Sequence, residues 1–168
     1  YREISAGRPS PSWICVLVYC LAYVAGAFWL YSQGFEPFNP PWLVLDPERY
    51  YLVEAFYILP VIFLVWILGA GLIRTLSRLA GGQGRFEVLL RMTGYALWAP
   101  WYPLLVVDTI HATPEWLYLT VLVACMALVL AETTMAIVIE ERLGPVRAAL
   151  IALVTFGAVG VVTYTYIR

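Results

Sequence analysis

Two ionisable side chains stand in apolar stretches where a charge is costly: Arg91 in EVLLRMTGYALW and Glu132 in MALVLAETTMAIVIEE. An ionisable residue at membrane depth marks a functional site by default. With a helical rise of about 1.5 Å per residue, Glu132 falls about 12 Å along its helix from Glu140, and Arg91 about 6 Å from Glu87. An Arg91–Glu132 pair is therefore expected, with Thr133, Thr134 and Tyr95 as hydrogen-bonding company. Functionally, Glu132 would handle a proton or cation in a cavity between helices. The structural alternative has Arg91 snorkelling to the headgroups and Glu132 bonding within the bundle. A second cluster, DTIHATPE, holds Asp108, His111 and Glu115. These are weak candidates for a metal, since His is the usual transition-metal ligand. Asp108 and Thr113 fit equally well as a helix end and a cap, with Pro114 opening the next helix, so no metal and no cofactor are expected.

Enzyme constellations fail one at a time. A zinc protease of HExxH type needs paired histidines, and the chain has one His. A Ser/His dyad would have to use His111 without a GxSxG elbow. Glu140 and Glu141 are similar to the EExxxR of CAAX-type membrane proteases, but position 145 is Pro and Arg147 comes two residues late. Catalysis is not expected.

The elements that must position these residues follow from composition. The chain has 168 residues, 62% hydrophobic and 12% charged, with a net charge of −1. Soluble domains carry roughly 45–50% apolar and about 25% charged residues, and a chain this short has no interior large enough to hide the excess. Its solvent must be lipid. Without lysine or a dense basic run, nucleic acid is excluded as a partner. A spanning helix needs about 20 apolar residues, and five stretches qualify, at 13–31, 51–73, 87–107, 115–139 and 147–167. The expected fold is an all-α integral membrane protein, a single domain over 1–168 built as a bundle of five transmembrane helices. The first span, lacking a basic n-region and a cleavage site, does not read as a removable signal peptide.

Arginines set the orientation, because positively charged short loops stay in the cytoplasm. Arg2, Arg8, Arg74, Arg78, Arg85, Arg142 and Arg147 fall on one side, and Arg49 and Arg168 on the other. The N-terminus is thus expected in the cytoplasm and the C-terminus outside. Trp13, Trp29, Trp42, Trp116, Tyr31, Tyr50, Tyr51, Tyr164 and Tyr166 fall at span ends, where amphipathic rings prefer the headgroup layer. The outer loop from Gln33 to Tyr50 has four prolines between aromatics, and reads as an interfacial anchor or, alternatively, a lid. Cys15, Cys20 and Cys125 read as small apolar fillers.

The most distinctive segment is LIRTLSRLAGGQGRFEVLLRMTGYALWAPWYPLL. Arg74 and Arg78 share a helical face, ready for lipid phosphates, before Gly81, Gly82 and Gly84 end the helix. Gln83, Arg85 and Phe86 lead into the third span. The loop lacks the Lys and Ser/Thr of a P-loop and follows a helix, so nucleotide binding is not expected. Through Gly81, Gly82, Gly84, Phe86, Arg91, Gly94, Tyr95, Ala96 and Pro100, with the closing hairpin TTMAIVIEERLGPVRAALIAL, the chain resembles the Yip (Ypt-interacting protein) domain family in its prokaryotic branch. The likeness covers about residues 12 to 167. It implies five spans, N-terminus in and C-terminus out, which the arginines give independently. It also implies that eukaryotic relatives act in vesicle traffic with Rab-type GTPases, partly through long N-terminal regions of which this sequence shows about a dozen residues.

The expected function is that of a non-enzymatic membrane scaffold or partner-binding protein presenting the cytoplasmic turn. Its expected partners are membrane lipids and other membrane proteins or a second copy of itself, in a prokaryotic cytoplasmic membrane. The alternative is a small-solute or ion transporter using Glu132 and Arg91, with Pro60, Pro100 and Pro103 breaking helices along a path.

Overall fold

A computed structural model describes residues 12–35, 47–109 and 114–166. Every regular element among them is helical: α1 (Ser12–Ser32), α2 (Tyr50–Leu79), α3 (Phe86–Ala96), α4 (Tyr102–Thr109), α5 (Glu115–Glu141) and α6 (Pro145–Tyr166). Single 3-10 turns at Pro47–Arg49 and Ala99–Trp101 precede α2 and α4. Three helices, α1, α2 and α5, are long and apolar enough to cross a membrane. Their outward faces carry large apolar side chains, such as Phe56 at 75% and Val123 at 63% exposure. In water such faces would be strongly unfavourable; against hydrocarbon they need no partner.

One expected span differs in form. The third is not one helix: α3 runs only 11 residues, about 16 Å, and stops before Pro100. Proline has no N–H to give to Ala96, so the chain tightens into i→i−3 bonds, Trp98 N to Tyr95 O at 3.3 Å and Trp101 N to Trp98 O at 3.1 Å, before α4 resumes. Pro103 sits in the first turn of α4, where its missing donor costs nothing. The fifth, α6, runs 22 residues from Pro145 to Tyr166. As the shared face of Arg74 and Arg78 and the glycines after them imply, α2 continues past its span to Leu79, about 45 Å of helix.

The core lies where α1, α2, the α3–α4 break and α5 meet: Val16 and Cys20 pack with Ile62, Trp66, Trp98 and Val129. Trp66 donates Nε1–H to the Leu90 carbonyl at 3.0 Å, tying α2 to α3. This close approach depends on Gly94, where a Cβ would stand 2.9 Å from Ser12 Cβ and 3.1 Å from Trp66 Cζ2. Tyr19 of α1 stacks between Trp98 and Tyr102 at ring distances of 5.3 and 5.5 Å, and the Tyr102 hydroxyl donates to the Cys15 carbonyl at 2.9 Å. A second apolar cluster, including Ile73, Leu89, Ile137, Leu143 and Ile151, joins α2, α3, α5 and α6 toward their connecting loops.

Trp13, Trp29, Tyr31 and Trp116 are exposed at helix ends, as rings of an interfacial belt would be. Tyr50 is not: it is fully buried. Its hydroxyl has an acceptor inside the bundle. Arg2, Arg8, Trp42 and most of the Gln33–Tyr50 loop lie outside the described residues.

Candidate functional site

The Gly-rich turn is where the chain brings most chemistry together. At the end of α2, Arg74 donates through Nη1 to both oxygens of Glu141, at 2.8 and 2.6 Å. The Glu141 side chain is fully buried and that of Arg74 is 13% exposed. Glu141 Oε2 also accepts the Gly84 N–H at 2.9 Å, and its backbone carbonyl accepts Gln83 N–H at 3.4 Å. Beside it, Glu140 Oε1 accepts the Arg85 N–H at 2.7 Å. Arg85 is the N-cap of α3 and has no side-chain cap of its own. Two adjacent carboxylates on α5 thus serve the amides that open α3, a position that favours negative charge. Charge-assisted bonds of this kind are the strong ones. The clasp joins α2, the glycine loop, α3 and α5 at one point.

Each glycine has its own reason. Gly81 takes φ +91 with open space around it, ending α2 in a left-handed turn whose Gly82 N–H closes on the Ser77 carbonyl at 2.7 Å. At Gly82 a Cβ would stand 2.6 Å from Glu141 Oε2 and 2.8 Å from the Ser77 carbonyl. At Gly84 it would stand 2.8 Å from the Glu140 carbonyl. The last two glycines are the gap through which the carboxylates reach the backbone. Next to the clasp, Arg142 adopts φ 55 to stop α5, and Arg147 reaches back to the Ala80 carbonyl at 3.5 Å.

Of the turn residues singled out from sequence, Arg74, Gly82, Gly84 and the Arg85 amide belong to the clasp, Gly81 shapes it, and Arg78 and Phe86 are exposed around it. Arg74 thus faces a buried carboxylate, whereas the sequence pointed it at lipid phosphates. Glu140 and Glu141, weighed from sequence only against a protease motif, are its centre. Their signal is in the sequence: two carboxylates end one helix, and an earlier one begins from a loop with no capping side chain.

The intramembrane set is more scattered. Arg91 and Glu132 are both half-buried, and among the described residues Arg91 makes no ion pair with Glu132; the ion pair at this end is Arg74–Glu141. Glu132 lies within electrostatic reach of Cys15 on α1. Thr133 is buried with its hydroxyl unbonded among the described residues, and Tyr95 is half-buried on α3. Of the outer cluster, His111 lies outside the described residues, Asp108 is in α4 and Glu115 opens α5.

A further ionisable residue that the sequence places at membrane depth begins the second span. Glu54, 1% exposed, accepts through Oε1 the hydroxyls of Tyr23 on α1, at 2.9 Å, and Tyr50, at 2.8 Å. It staples the far end of α1 to α2. Tyr23→Phe and Tyr50→Phe are each expected to cost about 1–2 kcal/mol, read as lower thermal midpoints in detergent. Glu54→Gln, which keeps an acceptor, should lose less than Glu54→Leu.

The helical architecture, its outward apolar faces and a polar clasp closing one end define a multi-pass membrane protein. The chain matches the Yip1 domain over residues 1–167, and it belongs to that family, whose members are generally non-enzymatic proteins of membrane traffic. No curated protein and no solved structure matches significantly.

Proposed function

We propose that this chain is a non-enzymatic scaffold of a prokaryotic cytoplasmic membrane, presenting the surface around the Gly81–Phe86 turn and the Arg142–Arg147 turn to partners in or on the membrane. Its helices run as a five-span bundle with the N-terminus in the cytoplasm and the C-terminus outside, the orientation that the arginines favour. The observation that carries this reading is the clasp. Four chain segments are locked by Glu140 and Glu141 around a loop with no cofactor-binding or catalytic constellation, so the two turns form one preorganised surface. Preorganisation of this kind reduces the ordering cost of binding.

A photocrosslinker at exposed Gln83, compared with one at lipid-facing Leu64, tests it in intact cells. Discrete protein adducts are expected from position 83 and not from position 64, and they should fade when Glu141 is replaced. Adducts equal at both positions, or none from position 83, would reject a scaffold at this surface.

A second reading, transport past Arg91, Glu132, Thr133 and Tyr95, is favoured by the α3–α4 break at Pro100, since interrupted helices line many transport sites. Liposomes containing purified wild type and Glu132→Gln, with a pH-sensitive dye inside, separate the two. Under the scaffold reading neither carries flux. Saturable flux lost in Glu132→Gln would replace that reading with transport.

A further inference from the structure

Three arginines surround the clasp without taking part in it. Arg78 is exposed on the last turns of α2, Arg142 at the left-handed end of α5, and Arg147 in the first turn of α6. The Arg147 guanidinium, 3.5 Å from the Ala80 carbonyl, brings the start of α6 against the end of α2, so the three belong to one rim. The acids nearby do not balance them: Glu141 is spent on Arg74, Glu140 has one oxygen on the Arg85 amide, and Glu87 is the exposed acid of the next helix. Apolar side chains are interleaved with the charges. Leu79, next to Arg78, is 82% exposed, and Val146, next to Arg147, is 72% exposed.

Arginine beside exposed leucine and valine suits neither bulk water nor hydrocarbon. It suits the boundary between them, where guanidinium groups meet phosphates and apolar side chains enter the acyl region. α2 is about 45 Å long, against a hydrocarbon thickness of about 30 Å, so its Arg78 end extends to the headgroup layer. We infer that the Arg78, Arg142 and Arg147 rim, with Leu79 and Val146, binds the headgroups of anionic phospholipids, and that the clasp holds the three arginines in the spacing that does so. This rests on the scaffold reading and names one partner of the same surface. Arginine engages a phosphate by paired N–H bonds, and each basic residue near an anionic surface contributes about a fivefold preference at physiological salt.

The test is lipid retention by purified protein in micelles doped equally with phosphatidylglycerol and phosphatidylcholine, read by native mass spectrometry. Wild type is expected to retain phosphatidylglycerol preferentially, with the preference shrinking as salt rises. Each of Arg78→Gln, Arg142→Gln and Arg147→Gln should lower it by about fivefold; the triple variant should show none, while Arg49→Gln, at the other end of α2, should match wild type. Leu79→Ser with Val146→Ser should reduce retention of both lipids without changing their ratio. None of the three arginine side chains bonds Glu140 or Glu141 among the described residues, Arg147→Gln gives up only the contact with the Ala80 carbonyl, and an unchanged thermal midpoint confirms that each variant is folded. Equal retention of the two lipids by wild type, or an intact preference in the folded triple variant, would overturn the inference. So would displacement by soluble glycerol phosphate at concentrations matching the lipid, which would assign the rim to a free phosphate ligand. Purified protein contains no protein partner, so a failure here leaves the crosslinking result standing, and absent crosslinks with an intact lipid preference would remove the protein partner alone.

Discussion

Glu141→Ala is expected to destabilise the folded bundle by about 3 kcal/mol or more, the range for removing one member of a buried ion pair. The loss leaves the Arg74 guanidinium in a site where it is 13% exposed and takes the acceptor from the Gly84 N–H. Thermal or denaturant unfolding of detergent-purified protein measures it, and hydrogen exchange at Gly84 should accelerate locally. A companion variant separates charge burial from geometry. Arg74→Met with Glu141→Leu should recover much of the loss, because a buried pair is often replaceable by apolar groups of similar volume. The exchanged pair, Arg74→Glu with Glu141→Arg, should not recover. Arginine at 141 has no oxygen to accept the Gly84 amide, so restoring opposite charges restores only half the site. Full recovery by the exchange would mean that the loop amide contributes nothing.

Gly82→Val and Gly84→Val are expected to open the clasp and cost about 1–3 kcal/mol each, the usual penalty for atoms forced into a packed site. The obstacle at both positions includes backbone, the Ser77 carbonyl at 2.8 Å from the Gly82 position and the Glu140 carbonyl at 2.8 Å from the Gly84 position, which cannot swing away as a side-chain tip can. Gly81→Ala should cost about 1–2 kcal/mol for a different reason, the left-handed φ of +91 in open space. Asparagine should be tolerated there better than alanine, since it visits that region more readily. Gly144, Gly157 and Gly160 have nothing within 4 Å of an added Cβ, and alanine at each should be close to neutral. Unfolding midpoints across this set distinguish steric from conformational demand. Equal behaviour of Gly82→Val and Gly157→Ala would refute the contact explanation.

The clasp also shows why ion pairing is hard to read from a sequence. Arg91 and Glu132 drew attention because each is a lone charge in an apolar run. Pairing, however, depends on which helix faces meet, and spacing along one chain does not contain that information. Arg74, close to a loop, reads as a partner of lipid phosphates. Its partner is 67 residues away, and only the return of α5 to the α2–α3 turn places them together. Tyr50 shows the same limit in reverse. A tyrosine at a span end fits the headgroup belt by residue type, yet the buried oxygen of Glu54, four residues on, turns it inward.

Much else was legible because it depends on composition and local chemistry. An apolar excess in so short a chain requires lipid as solvent, and hydrocarbon requires backbone groups to be bonded within each segment, so helices follow. Their ends are local as well, as where glycine supplies the left-handed turn at Gly81. Tertiary structure decided the rest: which carboxylate neutralises which arginine, why Gly82 and Gly84 cannot carry a side chain, and which arginines stay on the rim. The hydrophobic demand of each stretch can be met by any apolar surroundings, lipid included, and so carries no address. Hydrogen bonds and steric contacts between distant segments are directional and short-ranged, and they take effect only once the helices have been brought together.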